Sequence, residues 1–157
     1  MEQNFASHLT HPVFKVISKE LSNSKEKAFV IGGFVRDLIL GNTSKDIDIV
    51  VQGNGTLFAQ KVAKTLRVKK VAIFKKYGTA HFKYKDIDVE FVGARKESYS
   101  DDSRNPTVTP GTLKEDQYRR DFTINALAID LHPEKLGTLV DPFNGLDDLK
   151  EGLIRTP

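Results

Sequence analysis

Ala28-Phe29-Val30-Ile31-Gly32-Gly33-Phe34-Val35-Arg36-Asp37-Leu38-Ile39-Leu40-Gly41, followed across a short polar link by Asp46-Ile47-Asp48-Ile49-Val50-Val51, is the stretch that decides the fold. Ala28 to Ile31 is an apolar run after a charged segment and suits a buried strand. Gly32-Gly33 follows at once. Val35, Leu38 and Ile39 then fall at helical spacing, and Gly41 suits the position just past a helix end. Asp46 to Val51 alternates acid and aliphatic, which predicts a strand with two distinct faces. Strand, glycine turn, helix and strand in so short a space predict an α/β domain.

Upstream, Thr10-His11-Pro12 reads as a helix start, with Thr10 as N-cap and Val13, Phe14, Ile17 and Leu21 on one side. Downstream, Thr56 is placed to cap a helix running to Leu66, with Leu57, Phe58, Val62 and Leu66 as its apolar side. Val71–Phe74, Thr79–Tyr84 and Ile87–Val92 read as strands. The last two suit a hairpin turning at Lys85-Asp86. That register pairs Tyr84 with Ile87, Phe82 with Val89 and Ala80 with Phe91 on one face, and sets Lys83 opposite Asp88 and His81 opposite Glu90 on the other. Gly93 to Gln117 shows little periodicity and reads as a long functional loop. Phe122 to Leu131 has helical spacing. Leu139-Val140 suits a short last strand and Gly145–Glu151 a short helix.

The chain has 157 residues, enough for one domain with a modest core. It holds 24 Lys+Arg, 21 Asp+Glu, 39% apolar residues and no cysteine. The absence of cysteine excludes disulfides, thiol nucleophiles and cysteine-based zinc sites. The longest apolar-plus-glycine run, Ala28–Val35, falls far short of the roughly 20 residues of a membrane span. Met1 to Asn4 has no basic flank or apolar stretch, so no secretory leader and no membrane partner are expected. The charge is uneven. Lys61 to Lys85 holds nine basic residues and no acidic one, leaving 15 basic against 21 acidic elsewhere. Such a block suits either a polyanion partner or a solvated surface.

Asp46 and Asp48 lie on one strand face, about 7 Å apart. Like charges held together favour cations between them, and paired divalent ions are the usual device for displacement at phosphorus. An acidic, solvent-facing strand is the plainer reading of Asp-x-Asp alone. Upstream, however, Gly32 and Gly33 let a backbone approach a ligand at a helix start, and Arg36 lies one turn in, within reach of a phosphate. A phosphate cradle followed closely by a carboxylate pair is what a nucleoside triphosphate–magnesium site requires. The second acidic strand offers a third carboxylate. Asp86 falls in the turn and Asp88 opposite Lys83, which leaves Glu90. Arg119-Arg120-Asp121-Phe122-Thr123-Ile124-Asn125-Ala126 adds Asp121 and Asn125 one helical turn apart, suited to a ribose edge, and arginines suited to a triphosphate.

These residues resemble the N-terminal catalytic head of the bacterial tRNA nucleotidyltransferase/poly(A) polymerase family, within the DNA polymerase beta-like superfamily. Four segments carry the resemblance: Gly32–Gly41 leading to Asp46-Ile47-Asp48; Glu90 with Arg95 and Glu97; Arg119–Ala126; and Asp141-Pro142-Phe143-Asn144-Gly145-Leu146-Asp147-Asp148-Leu149 running on to Ile154-Arg155. The resemblance implies a small, mostly antiparallel mixed sheet flanked by helices. It also implies template-independent transfer of nucleotides from CTP or ATP to an RNA 3′ end, foremost that of tRNA, in the cytoplasm. Asp46 and Asp48 would hold two Mg²⁺ ions and act with Glu90. Gly32, Gly33, Arg36 and Arg120 would meet phosphates, and Asp121 and Asn125 the ribose. Lys69, Lys70, Lys75 and Lys76, from the basic block, are the candidates for RNA contact. Ser98 to Gln117 lies where the family has a flexible specificity loop. The family continues into neck, body and tail regions, with base selection in the neck. Residues 1–157 are therefore expected to be the head alone. A poly(A) polymerase and a split CC- or A-adding enzyme share these motifs, and a nucleotide- or RNA-binding module without turnover remains open. A phosphohydrolase is disfavoured, because His8, His11, His81 and His132 show no paired ligand spacing.

Overall fold

The structure, a computed structural model, describes residues 3–98 and 107–157. In chain order its elements are α1 (Pro12–Ser22), β1 (Lys27–Ile31), α2 (Gly33–Ile39), β2 (Asp46–Gln52), α3 (Gly55–Thr65), β3 (Ala72–Phe74), β4 (Thr79–Tyr84), β5 (Ile87–Gly93), β6 (Arg95–Ser98), β7 (Thr107–Pro110), α4 (Leu113–Tyr118), β8 (Ala128–Asp130), β9 (Leu139–Val140) and α5 (Gly145–Glu151). Single 3-10 turns occupy Ala6–His8, Lys75–Tyr77 and Thr123–Asn125. Seven strands form one sheet in the order β3-β4-β5-β2-β1-β8-β9. Only β2 and β5 run parallel; the other neighbours are antiparallel. β6 and β7 form a separate antiparallel ribbon. This is the expected small, mostly antiparallel mixed sheet with flanking helices.

The two sheet faces differ because the strands alternate. Val30, Ile47, Ile49, Phe82, Val89 and Phe91 point to one face, where they pack against Phe14, Ile17 and Leu21 of α1 and Phe58 and Val62 of α3. The opposite face carries only a small apolar cluster, with Phe29, Ile31, Val50 and Ala128 meeting Leu113 of α4. The rest of that face is left to side chains that are mostly polar or charged, with Phe74 exposed at its β3 edge. At the start of α3, Gly55 lies so near β5 that a Cβ there would meet the Gly93 nitrogen at 2.9 Å. Glycine thus sets how closely the parallel crossover packs.

The hairpin register is as expected, from Tyr84 opposite Ile87 to His81 opposite Glu90, and β9 and α5 have the expected bounds. Four expectations are corrected. The cap of α1 is His11, whose ring Nδ1 accepts from the Val13 N–H at 3.1 Å, not Thr10. The cap of α3 is Asn54, whose side chain accepts from the Leu57 N–H, and Leu57 itself stays 45% exposed. Phe122–Leu131 is not a helix: after the turn at Thr123–Asn125 the chain extends into β8, paired on both sides with β1 and β9. A short apolar run buried on both faces carries no period that separates strand from helix. The stretch from Gly93 to Gln117 is not one loop. It contains β6, β7 and α4; of the expected flexible segment, residues 99–106 lie outside the described residues. A capping box marks the start of α4, Thr112 accepting from the Glu115 N–H while Glu115 accepts from the Thr112 N–H.

Candidate active site

Strand pairing assembles the acids. Asp46 and Asp48 share the open face of β2, while Ile47 and Ile49 are buried behind them. The parallel pairing of β2 with β5 sets Asp46 beside Asp88 and Asp48 beside Glu90, about 4.8 Å apart by sheet geometry. Four carboxylates thus form a block two strands wide. Together with His81 they line a hollow of about 360 Å³. Asp88, set aside as the partner of Lys83, belongs to this block. Its carboxylate meets His81 Nε2 at 3.2 Å, diagonally across the hairpin.

Asp48 is the most enclosed of the expected metal ligands. Burial pushes its carboxyl above the usual carboxylate range, and Glu90 and Asp46 push the same way, while Arg120 opposes them. A carboxylate so placed is short of positive charge. Among the described residues no three of His, Asp and Glu form a ready-made ion cage. That donor set suits a hard cation such as Mg²⁺, which takes one or two carboxylates and completes its shell with phosphate oxygens and water.

A second hollow, also of about 360 Å³, is lined by Gly32, Gly33, Asp48, Arg119, Arg120, Asp121 and Asn125. Asp48 is common to both hollows, so the glycine turn and the acid block meet there. Gly32 has φ +81°, which a side chain would strain. Its own N–H donates to the Leu127 carbonyl at 3.1 Å, so its part is to turn the chain rather than to offer an amide. Arg36 donates from Nη1 to Asn125 Oδ1 at 2.8 Å and from Nε to Asp37 Oδ1 at 3.1 Å. Asn125 Nδ2 donates in turn to Asp121 Oδ1 at 3.2 Å. The expected meeting of Asp121 and Asn125 is therefore real, although a 3-10 turn makes it, not an α-helix.

Sequence reasoning missed the residue that holds the arginines. Asp116 of α4 is fully buried. Its Oδ1 accepts from Arg120 Nη2 at 2.9 Å and Nε at 3.2 Å, and its Oδ2 from the Arg95 N–H at 2.9 Å and Arg119 Nε at 3.4 Å. One carboxylate thus orders two guanidiniums and leaves a surplus of positive charge beside the glycine turn. The Arg95 guanidinium is pushed down from its usual range, first by burial and then by Arg119. The capping pair Thr112–Glu115 was the signal that could have located Asp116. From the other side, Thr123 braces the turn that carries Asn125: its hydroxyl donates to buried Asp148 at 2.6 Å and its N–H to the Arg155 carbonyl at 2.8 Å. Glu97 lies in β6, but its side chain falls outside the described residues. Lys69, Lys70, Lys75 and Lys76 are exposed and flank the edge strand β3, apart from both hollows.

Residues 28–155 match the Poly A polymerase head domain. The A-adding tRNA nucleotidyltransferase of Aquifex aeolicus is 46% identical over 82% of this chain and 16% of its own length. That of Halalkalibacterium halodurans is 38% identical over 91% of this chain and 34% of its own. A tRNA nucleotidyltransferase solved with a primer tRNA and an incoming ATP analog superposes with a TM-score of 0.79 at 41% identity, over 89% of this chain and 38% of that one. A CCA-adding enzyme in an apo form gives 0.86 at 38% identity, over 99% and 38%. The chain thus spans between 16% and 34% of the length of these curated relatives. On this match, the chain belongs to the Poly A polymerase head domain family.

Proposed function

We propose that this chain is the catalytic head of an enzyme that transfers nucleotides from CTP or ATP to the 3′ end of RNA, foremost tRNA, in the cytoplasm. The observation that carries this reading is that one carboxylate, Asp48, lines both the acid hollow and the glycine–arginine hollow. A triphosphate in the second hollow would bring its reacting phosphorus to the acids of the first. Asp46 and Asp48 would hold two Mg²⁺ ions, whose chemistry is to lower the pKa of the RNA 3′-hydroxyl and to offset charge on departing pyrophosphate. Glu90, beside Asp48, concentrates negative charge there and so favours cation binding over the vacant pair. Gly33 lets phosphate oxygens approach the backbone, and Arg36 and Arg120 hold them, Arg120 being pre-oriented by Asp116. Asp121 and Asn125 orient each other toward the ribose. Lys69, Lys70, Lys75 and Lys76 serve the RNA phosphates. The protein's share of the rate is thus positioning and fixed charge.

The names of the relatives support tRNA as the acceptor, and the A-adding pair supports ATP as a donor. The test is to incubate the full-length gene product with magnesium, each NTP, and tRNA transcripts ending before the CCA, after CC and after CCA. Addition limited to C, C and A, or to A after CC, is expected. Long A tails on unrelated RNA would replace this reading by poly(A) synthesis. Tight NTP and RNA binding without incorporation would leave a binding module.

A further inference from the structure

The basic segment carries two aromatic rings that the proposed reaction does not use. Phe74 is 54% exposed and Tyr77 58% exposed. A single exposed ring is ordinary. Here two stand three residues apart, with Lys75 and Lys76 between them and Lys69 and Lys70 just upstream. Phe74 ends the edge strand β3, and Tyr77 closes the turn that follows.

Pairing fixes where they stand. Ala72, His81, Glu90 and Asp48 form one row across the sheet, and Phe74, Thr79, Val92 and Val50 form the next. Partners in a row share a face, so Phe74 is on the carboxylate face. It lies one row (about 7 Å) along and two strands (about 10 Å) out from Glu90. Beyond it Gly78 is tied to β5, its carbonyl accepting from the Gly93 N–H at 3.3 Å. A hollow of about 290 Å³ opens there, with Tyr77 and Lys76 on one side and Arg95 on another. Rings, lysines and hollow therefore form a track that runs along the sheet edge toward the acids. Lysines alone would fit any polyanion. Flat rings among them fit one whose own flat faces are open, and unpaired bases are such faces, whereas a duplex stacks its bases inside.

We propose that the β3 edge is a platform for an unpaired RNA strand. Phe74 and Tyr77 stack bases, Lys69, Lys70, Lys75 and Lys76 follow the phosphates, and the hollow between Tyr77 and Arg95 receives a base. That the strand's 3′ end points toward the carboxylates rests on the transferase reading; the platform does not.

The test is fluorescence anisotropy of this chain with a labelled 12-nucleotide unstructured RNA and with an RNA duplex of the same length. Salt is varied, a polyglutamate peptide serves as competitor, and sedimentation is run in parallel. Phe74→Ala with Tyr77→Ala should weaken single-strand binding tenfold or more and duplex binding less than twofold, with an unchanged salt slope. Phe74→Trp with Tyr77→Phe should restore it. Lys75→Gln with Lys76→Gln should instead lower the slope by about 1.4, two phosphates' worth for a single strand. Both rings are exposed, and melting curves verify that the variants fold. Wild-type single-strand affinity in the alanine pair would overturn the platform. So would an equal loss on duplex, or full displacement by polyglutamate. Self-association that the alanine pair abolishes, without a change in RNA affinity, would make the edge a contact between copies instead. Affinity for magnesium–ATP, measured on the same samples, separates the two readings. If it is absent, or unchanged by Asp48→Asn, the transferase reading fails while the platform stands.

Discussion

Asp48 concentrates the strain of the site in one side chain. Burial, then Glu90, then Asp46 raise its carboxyl above the ordinary value of 3.8 against the pull of Arg120. Between that ordinary value and the raised one, the folded chain keeps a proton that the unfolded chain has released. Stability contributed by the neutral form is therefore lost as pH rises through that window. Asp48→Asn should melt above the wild type at pH 7 in the absence of divalent ions. The difference should vanish near pH 3, where both chains are neutral at this position, and shrink when magnesium is added. Calorimetry across that range checks it. A variant that melts below the wild type at pH 7 without magnesium would mean that Arg120, not repulsion, governs the site.

Two helices, α4 and α1, carry the element-scale consequences. α4 has only six residues, Leu113–Tyr118, yet it delivers Asp116 to the arginines. Its capping box supplies the nucleation that so short a helix lacks. Thr112→Ala should cost about 1 kcal/mol. Asp116→Asn should cost about 3–5 kcal/mol, because the arginines lose their buried counter-charge. Urea titration of both variants checks the ordering, and equal losses would contradict the role given to Asp116. α1 depends on a neutral histidine, since Nδ1 of His11 can accept from the Val13 N–H only when unprotonated. Its pKa is pushed below the usual 6.5, chiefly by burial and also by Lys85, with Asp86 opposing. The unfolded chain then takes up a proton first as pH falls, so the cap's contribution is complete above about 6.5 and is lost below it. The urea midpoint should fall between pH 7.5 and 5.5, and His11→Asn, which caps without titrating, should flatten that fall. An equal fall in the variant would locate the pH dependence elsewhere.

At the scale of the whole molecule, what was legible followed from short-range pattern. The glycine turn, the acid pair and the hairpin register each rest on neighbours within one or two elements. Glu90 could be chosen from the register alone. The place of Asp88 beside Asp46 could not, because it depends on the parallel pairing of β2 with β5, which joins residues 42 positions apart in sequence. β8 was misread for the same reason: its extension is imposed by β1 and β9. The capping pair Thr112–Glu115 marks the helix that carries Asp116, but not that its carboxylate is buried against Arg95, Arg119 and Arg120. In the proposed site the named groups would serve phosphate, metal and ribose, and the base-selecting groups implied by the family resemblance lie in a neck region. This chain should therefore bind magnesium complexes of CTP, ATP, GTP and UTP within a few-fold of one another, and the deoxy forms less well. Titration calorimetry measures this, and a tenfold preference, about 1.4 kcal/mol, would place base selection in the head. The central claim is that Asp46 and Asp48 carry nucleotide transfer. It is tested most directly by magnesium-dependent incorporation of labelled nucleotide into a tRNA 3′ end by the full-length enzyme. Asp46→Ala and Asp48→Ala should each lower that rate by more than about 100-fold, beyond the range typical of outer partners, with the fold intact by circular dichroism. Near-normal incorporation by either variant would contradict the account.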